Sequence, residues 1–97
     1  MMRLKFRAAA SADMRRVSRE TRTRWGEAQA ATYSASLRDA IKSLREFPLR
    51  FPEFAGRRKG LRRLNSGRHA VFYMVTEERI ETVRVLHVAS DFDEWLE

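Results

Sequence analysis

Ninety-seven residues make one domain, and 43% hydrophobic residues supply a core without disulfide or metal staples. Cysteine is absent, which excludes thiolate nucleophiles, thiolate metal sites and a disulfide framework. Two histidines are too few for a metal cage. The longest apolar run, Ala70 to Val75, falls far short of the roughly 20 residues that cross a bilayer. No metal, cofactor or membrane partner is therefore expected, and a cytoplasmic location is.

Charge is the strongest compositional signal. Lys plus Arg number 20 against 13 acidic residues, and only Lys5, Lys42 and Lys59 are lysines. Arginine favours planar, bidentate contacts. Residues 1–24 hold 8 basic and 2 acidic groups, residues 25–68 hold 10 and 4, and residues 69–97 hold 2 and 7. A cationic body with an acidic end attracts polyanions, whether nucleic acid or an acidic protein segment.

Met2 to Arg7 alternates apolar and basic side chains, the pattern of a strand over about 2–7. Ser11 is a good N-cap for a helix over about 12–24, with Asp13 in its first turn where the dipole favours a carboxylate. Met14, Val17 and Thr21 mark the inner side of that helix, and Arg15, Arg16, Arg19 and Arg22 the outer. Gly26 breaks it. Ala30, Tyr33, Leu37, Ala40, Ile41 and Leu44 carry a second helix over about 27–46, closed by Phe47-Pro48. The tight Trp25-Gly26 junction makes the two an antiparallel hairpin.

An irregular connection follows, anchored by Phe51 and Phe54. Strands are expected over about 61–65, 68–75 and 80–88, the last two apolar enough to be central. An acidic tail, 91–97, places Phe92, Trp95 and Leu96 on one helical side. The order β-α-α-β-β-β predicts a single α+β domain over 1–97: an N-terminal strand and a two-helix hairpin packed on a mainly antiparallel sheet.

The densest chemical feature is the segment from Arg57 to Arg68. Arg57, Arg58, Lys59, Arg62, Arg63 and Arg68 surround Leu61 and Leu64 with no acid among them. This pattern suits phosphates or a run of carboxylates, although charged edge strands also serve to prevent aggregation. Acid–base candidates are few: Glu46, Glu53, His69, Tyr73 and His87. His87 ends an apolar strand, and a structural bond to Asp91 is the simpler expectation for it. Arg84, His87 and Asp91 are read as a polar link from the last strand to the tail.

Several segments, in order, resemble the RelE/ParE toxin superfamily. Trp25-Gly26-Glu27-Ala28-Gln29-Ala30 is similar to the start of the second helix in ParE-type toxins, and Leu37-Arg38-Asp39-Ala40-Ile41 with Phe47-Pro48 to its continuation. Gly60-Leu61-Arg62, Gly67 and Phe72-Tyr73 resemble the "GLR…G…FY" strands, and Arg84-Val85-Leu86-His87 with Asp91 the "RVLH…D" ending. The resemblance implies a toxin of a type II toxin–antitoxin pair, with a ParD-like antitoxin as its partner in a hetero-oligomer.

ParE-type members are associated with inhibition of DNA gyrase, so the favoured expectation is an inhibitor that binds and is not an enzyme. The resemblance also leaves open a ribosome-dependent mRNA endoribonuclease of the RelE kind, for which Glu53, Arg63 and His87 would be the catalytic set. Charge alone leaves open a plain nucleic-acid-binding module. For antitoxin or target docking the candidates are Arg57, Arg58, Lys59, Arg62, Arg63 and Arg68, with Arg15, Arg19 and Arg22 on the first helix.

Overall fold

The computed structural model describes residues 2–56 and 59–96. Strand β1 (Arg3–Phe6) leads into helices α1 (Ala8–Trp25) and α2 (Glu27–Lys42). A 3₁₀ turn (Ser43–Arg45) follows, then strands β2 (Arg62–Ser66), β3 (His69–Val75) and β4 (Arg79–His87) and a short helix α3 (Phe92–Trp95).

The four strands form one sheet in the order β1-β4-β3-β2. β2, β3 and β4 pair antiparallel through two hairpins, whereas β1 lies parallel to β4. A parallel neighbour cannot be reached by a hairpin. The helices, β2 and β3 all intervene before β4 returns beside β1. The near-continuous apolar character of β3 and β4 matches their central positions, where both faces are covered.

On one face, Met14 and Val17 of α1 and Leu37 and Ile41 of α2 pack against Leu64, Val71, Tyr73, Ile80 and Val85. On the other, Ala70, Phe72, Val83 and Leu86 are covered by Leu61, Phe54, Phe92 and Leu96 from the connection and the tail. Phe54, Phe72 and Phe92 meet edge to face, with centroids 5.0–5.8 Å apart. Opposite Phe72 and Tyr73 the pairing jumps from Arg84 to Thr82, leaving Val83 as a bulge residue. The bulge shifts the alternation, so Val83 joins Leu86 on the second face while Ile80 and Val85 keep to the helix side.

Two helix boundaries differ from expectation. α1 starts at Ala8, not at a Ser11 cap. Arg7 is still extended and its N–H reaches Thr82 O (2.9 Å), but Ser11 N–H already donates to Arg7 O (3.0 Å). The three alanines Ala8 to Ala10 are strong helix formers and turn the chain at once. Asp13 thus leaves the first turn and lands on the inner side of the second. At the other end, α2 tightens to 3₁₀ geometry at Ser43, ahead of the proline. Between the helices Gly26 has φ +92°, a conformation that a side chain would strain, and its N–H closes α1 on Arg22 O (2.9 Å).

Candidate functional site

The displaced Asp13 makes the strongest polar contacts in the molecule. β1 stops pairing at Thr82, which leaves the next stretch of β4 without a strand on that edge. α1 lies along that stretch, and Asp13 fills the gap: its Oδ2 accepts the Val85 N–H (2.8 Å) as a strand partner would. The same carboxylate takes a bidentate pair from Arg84 (2.7 and 2.9 Å), and Arg16 approaches Oδ1 at 3.1 Å. The hydrogen bond to Asp13, which outweighs partial burial, raises the Arg84 pKa. Asp13 is only 1% exposed. Arg84 Nη1 also donates to Trp95 O (3.1 Å), so Arg84 joins the last strand both to α1, at Asp13, and directly to the tail, at Trp95 and not at Asp91.

His87 and Asp91 form no such link. His87 is exposed, and its Nδ1 accepts the Ala89 N–H (3.0 Å); no hydrogen bond joins it to Asp91 among the described residues. The backbone reverses at residues 88–90, held by Ser90 N–H to His87 O, and carries Asp91 away.

The expected basic segment is divided by strand alternation. Arg57 and Arg58 lie outside the described residues. Lys59 is exposed. Arg62 turns inward and donates to Phe51 O (2.7 Å), pinning the connection over the sheet, and the buried Tyr73 hydroxyl donates to Pro48 O of the same loop. Burial raises the Tyr73 pKa. Arg63, on the opposite side of β2, donates to Asn65 Oδ1 (2.8 Å) and sits 4.7 Å above the Phe92 ring. Arg68 lies past the far end of β2. The cations of α1 form a separate surface, because α1 packs on β4 and β1 while α2 packs beside β2. There Arg22 pairs with Glu27 (3.0 Å), whereas Arg15 and Arg19 are exposed and make no ion pair among the described residues.

Glu53 and Arg63 line one recess at the start of β2, but His87 does not join them. His87 is level with His69 and Ser66, two strands away from β2 and three residues along it from Arg63. Strand geometry makes that separation about 14 Å. Glu53 bridges Arg62 at the opposite end of β2.

What His87 does meet is a cluster that the sequence pattern concealed. Its ring lies edge to face with His69 (5.5 Å), and His69 in turn with Tyr33 (5.5 Å). The Tyr33 hydroxyl sits 2.6 Å from His69 Nδ1 and accepts the Arg68 N–H (2.9 Å). Gly67 turns beneath Tyr33 at φ +57°; a Cβ there would lie 2.7 Å from the Tyr33 ring. Arg68 stacks over the half-exposed Trp25 at 5.3 Å. Tyr33 kept the apolar rhythm of α2 and so reads as core. Only the turn residues Asn65 to Gly67, which bring the start of β3 back over α2, hinted otherwise. Among the described residues no group of three His, Asp or Glu is placed to hold a metal ion, and no helix is long and apolar enough to cross a membrane.

A family model described as the ParE toxin of the type II toxin–antitoxin system parDE matches residues 4–92. The chain belongs to this family and is a toxin of the type II kind. It is 40% identical over 78 residues to Toxin ParE1 of Caulobacter vibrioides, 80% of each chain, and 38% identical over 86 residues to Toxin ParE1 of Mycobacterium tuberculosis H37Rv, 88% of each. A chain of the chromosomal ParDE system from P. aeruginosa has the same fold, with a TM-score of 0.79 at 20% identity over 91% of this chain and 97% of that one. A chain of the E. coli DinJ-YafQ complex shares the fold more distantly, with a TM-score of 0.63 at 15% identity over 95% and 99%.

Proposed function

We propose that this toxin acts in the cytoplasm by docking on DNA gyrase, performs no covalent reaction of its own, and is held silent by a ParD-like antitoxin in a hetero-oligomer. The observation that carries the reading is the outer face of α1, where Arg15 and Arg19 stand exposed on a rigid helix with no ion pair among the described residues. Such a face suits a carboxylate-rich partner. Separation of His87 from Glu53 and Arg63 supports a binding mode of action, since general acid–base chemistry needs its groups within reach of one substrate atom. The ParDE system of P. aeruginosa, a two-component assembly by its description, supports the partner.

Purified, folded toxin is expected to stop supercoiling by gyrase; full supercoiling at saturating toxin overturns the reading. Transcripts cleaved on ribosomes, with cleavage abolished by His87→Ala, would replace it with the ribonuclease. Charge reversal locates the antitoxin. Arg15→Glu with Arg19→Glu should weaken the complex at least tenfold, about 1.4 kcal/mol, measured by calorimetry. In the basic segment the exposed Lys59, just before β2, is the clean position, because reversing Arg62 releases the Phe51 carbonyl and reversing Arg63 disturbs its packing on Phe92.

A further inference from the structure

The two imidazoles at the junction end of the helical hairpin, beside Trp25, have their tautomers set by what Nδ1 accepts. His87 Nδ1 takes the Ala89 N–H, so a neutral His87 carries its proton on Nε2. The Tyr33 hydroxyl already accepts from Arg68, and its own proton has His69 Nδ1 at 2.6 Å against Ser66 O at 3.4 Å. The shorter bond prevails, and His69 too is left with Nε2–H. Burial, followed by His87, Arg68 and Arg16, lowers the His69 pKa to about 4, which keeps the ring neutral at pH 7. His69 is 8% exposed, yet its Nε2 is not sealed from solvent and meets no protein acceptor among the described residues.

Both rings line a recess of about 80 Å³, together with Thr21, Arg24, Trp25 and Arg68. Glu20 lines it too, 3.9 Å from the Arg16 guanidinium. Arg68 is held over Trp25 and, at 6.0 Å, over Tyr33; Arg24 lies 6.0 Å from Trp25. Neither arginine has a carboxylate partner among the described residues. The recess therefore offers N–H donors from several directions and no imidazole lone pair. That chemistry selects an acceptor-only ligand with several oxygens and is unsuited to abstracting a proton. A recess of that size, half open to solvent, has room for one tetrahedral oxyanion.

We propose that this recess binds a single phosphate group, with Nε2–H of His69, Nε2–H of His87 and the Arg68 guanidinium on its oxygens and Arg24 adding charge. The site is independent of the gyrase reading. Inorganic phosphate titrated into the full chain at pH 7 and constant ionic strength, with the imidazole ¹⁵N–¹H correlations followed by NMR, tests it. His69 and His87 should shift together along one saturable curve. Arg68→Gln should weaken binding at least tenfold with the backbone spectrum otherwise preserved, and Arg63→Gln on β2 should leave it unchanged. No saturable shift, or equal weakening by both variants, overturns the proposal, the latter because it marks diffuse attraction to a basic protein.

A short single-stranded oligonucleotide distinguishes the source. Displacement of phosphate from the same histidines by the oligonucleotide assigns the niche to a nucleic-acid backbone. Retention of phosphate assigns it to a free phosphate or monoester. Both outcomes uphold phosphate as the ligand chemistry.

Discussion

Two polar clusters sit where the helices meet the sheet, and they are built on opposite principles. Around Asp13 the donors of Val85, Arg84 and Arg16 all end on one carboxylate, and the group is shut from water. Around His69 the inner half of the ring is satisfied by Tyr33 while the outer half faces a recess lined by Arg24 and Arg68, which have no carboxylate partner among the described residues. A fully satisfied buried cluster specifies the fold; one satisfied only on its inner side is preorganised for a ligand. Burial alone does not tell them apart, since Asp13 and His69 are both nearly covered. The direction of the unused hydrogen-bonding capacity does.

The sharpest way to break the comparison is Asp13→Ala. It strands the Arg84 guanidinium and the Val85 N–H together, and loss of one partner from a buried charge pair costs about 3–5 kcal/mol. Urea denaturation should show this loss with an unchanged slope. Asp13→Asn, which keeps an acceptor of the same shape, should lose less. A change below about 1 kcal/mol in the alanine variant would mean that water replaces the carboxylate and that the cluster is not closed.

Acid distinguishes the second cluster from the first. The His69 pKa is about 4 in the folded chain against an ordinary 6.5. Between those values the unfolded chain binds the extra proton, so the stabilisation is whole above pH 6.5 and drains away as pH falls towards 4. Allowing for solvent at the outer edge of the ring, the loss is about 2 kcal/mol. Denaturation midpoints from pH 7 to pH 4 should trace it, with the drop reduced in His69→Gln. Bound phosphate, whose charge favours the imidazolium, should raise the folded pKa of His69 and shrink the drop.

Local patterns carried the architecture because they reflect local causes. The alternation of Met2 to Arg7, the Trp25-Gly26 break and the unbroken apolar stretch from Ala70 to Val75 each respond to neighbours within a few residues, and the strand–helix–helix–sheet order follows from them. The polar clusters depend on partners far along the chain. Asp13 meets Arg84 across 71 residues and Tyr33 meets His69 across 36. No periodicity marks such pairs. Asp13 resembled a helix-start carboxylate because Ser11 resembled a cap, but the pairing of β1 out to Thr82 and the three alanines after it start α1 at Ala8. The six cations from Arg57 to Arg68 formed one cluster in sequence, yet alternation along β2 sends Arg62 to the Phe51 carbonyl and Arg63 to Phe92.

The smallest expected effect is the most discriminating. Tyr33→Phe removes one hydroxyl and leaves the ring that Gly67 turns beneath, so the packing of α2 on the hairpin should survive. The lost bond to His69 Nδ1 is worth about 1 kcal/mol by denaturation, while the exposed Arg68 N–H that the hydroxyl also accepted turns to water. The tautomer is the informative readout. Without the hydroxyl, nothing among the described residues holds the His69 proton on Nε2, and ¹⁵N shifts of the imidazole should move towards a mixture of the two neutral forms. His87, fixed by the Ala89 N–H, should keep its own. A His69 that stays wholly Nε2-protonated would show that the ring is set by its surroundings on the recess side, and the inner bond would then be a consequence of the niche and not its cause.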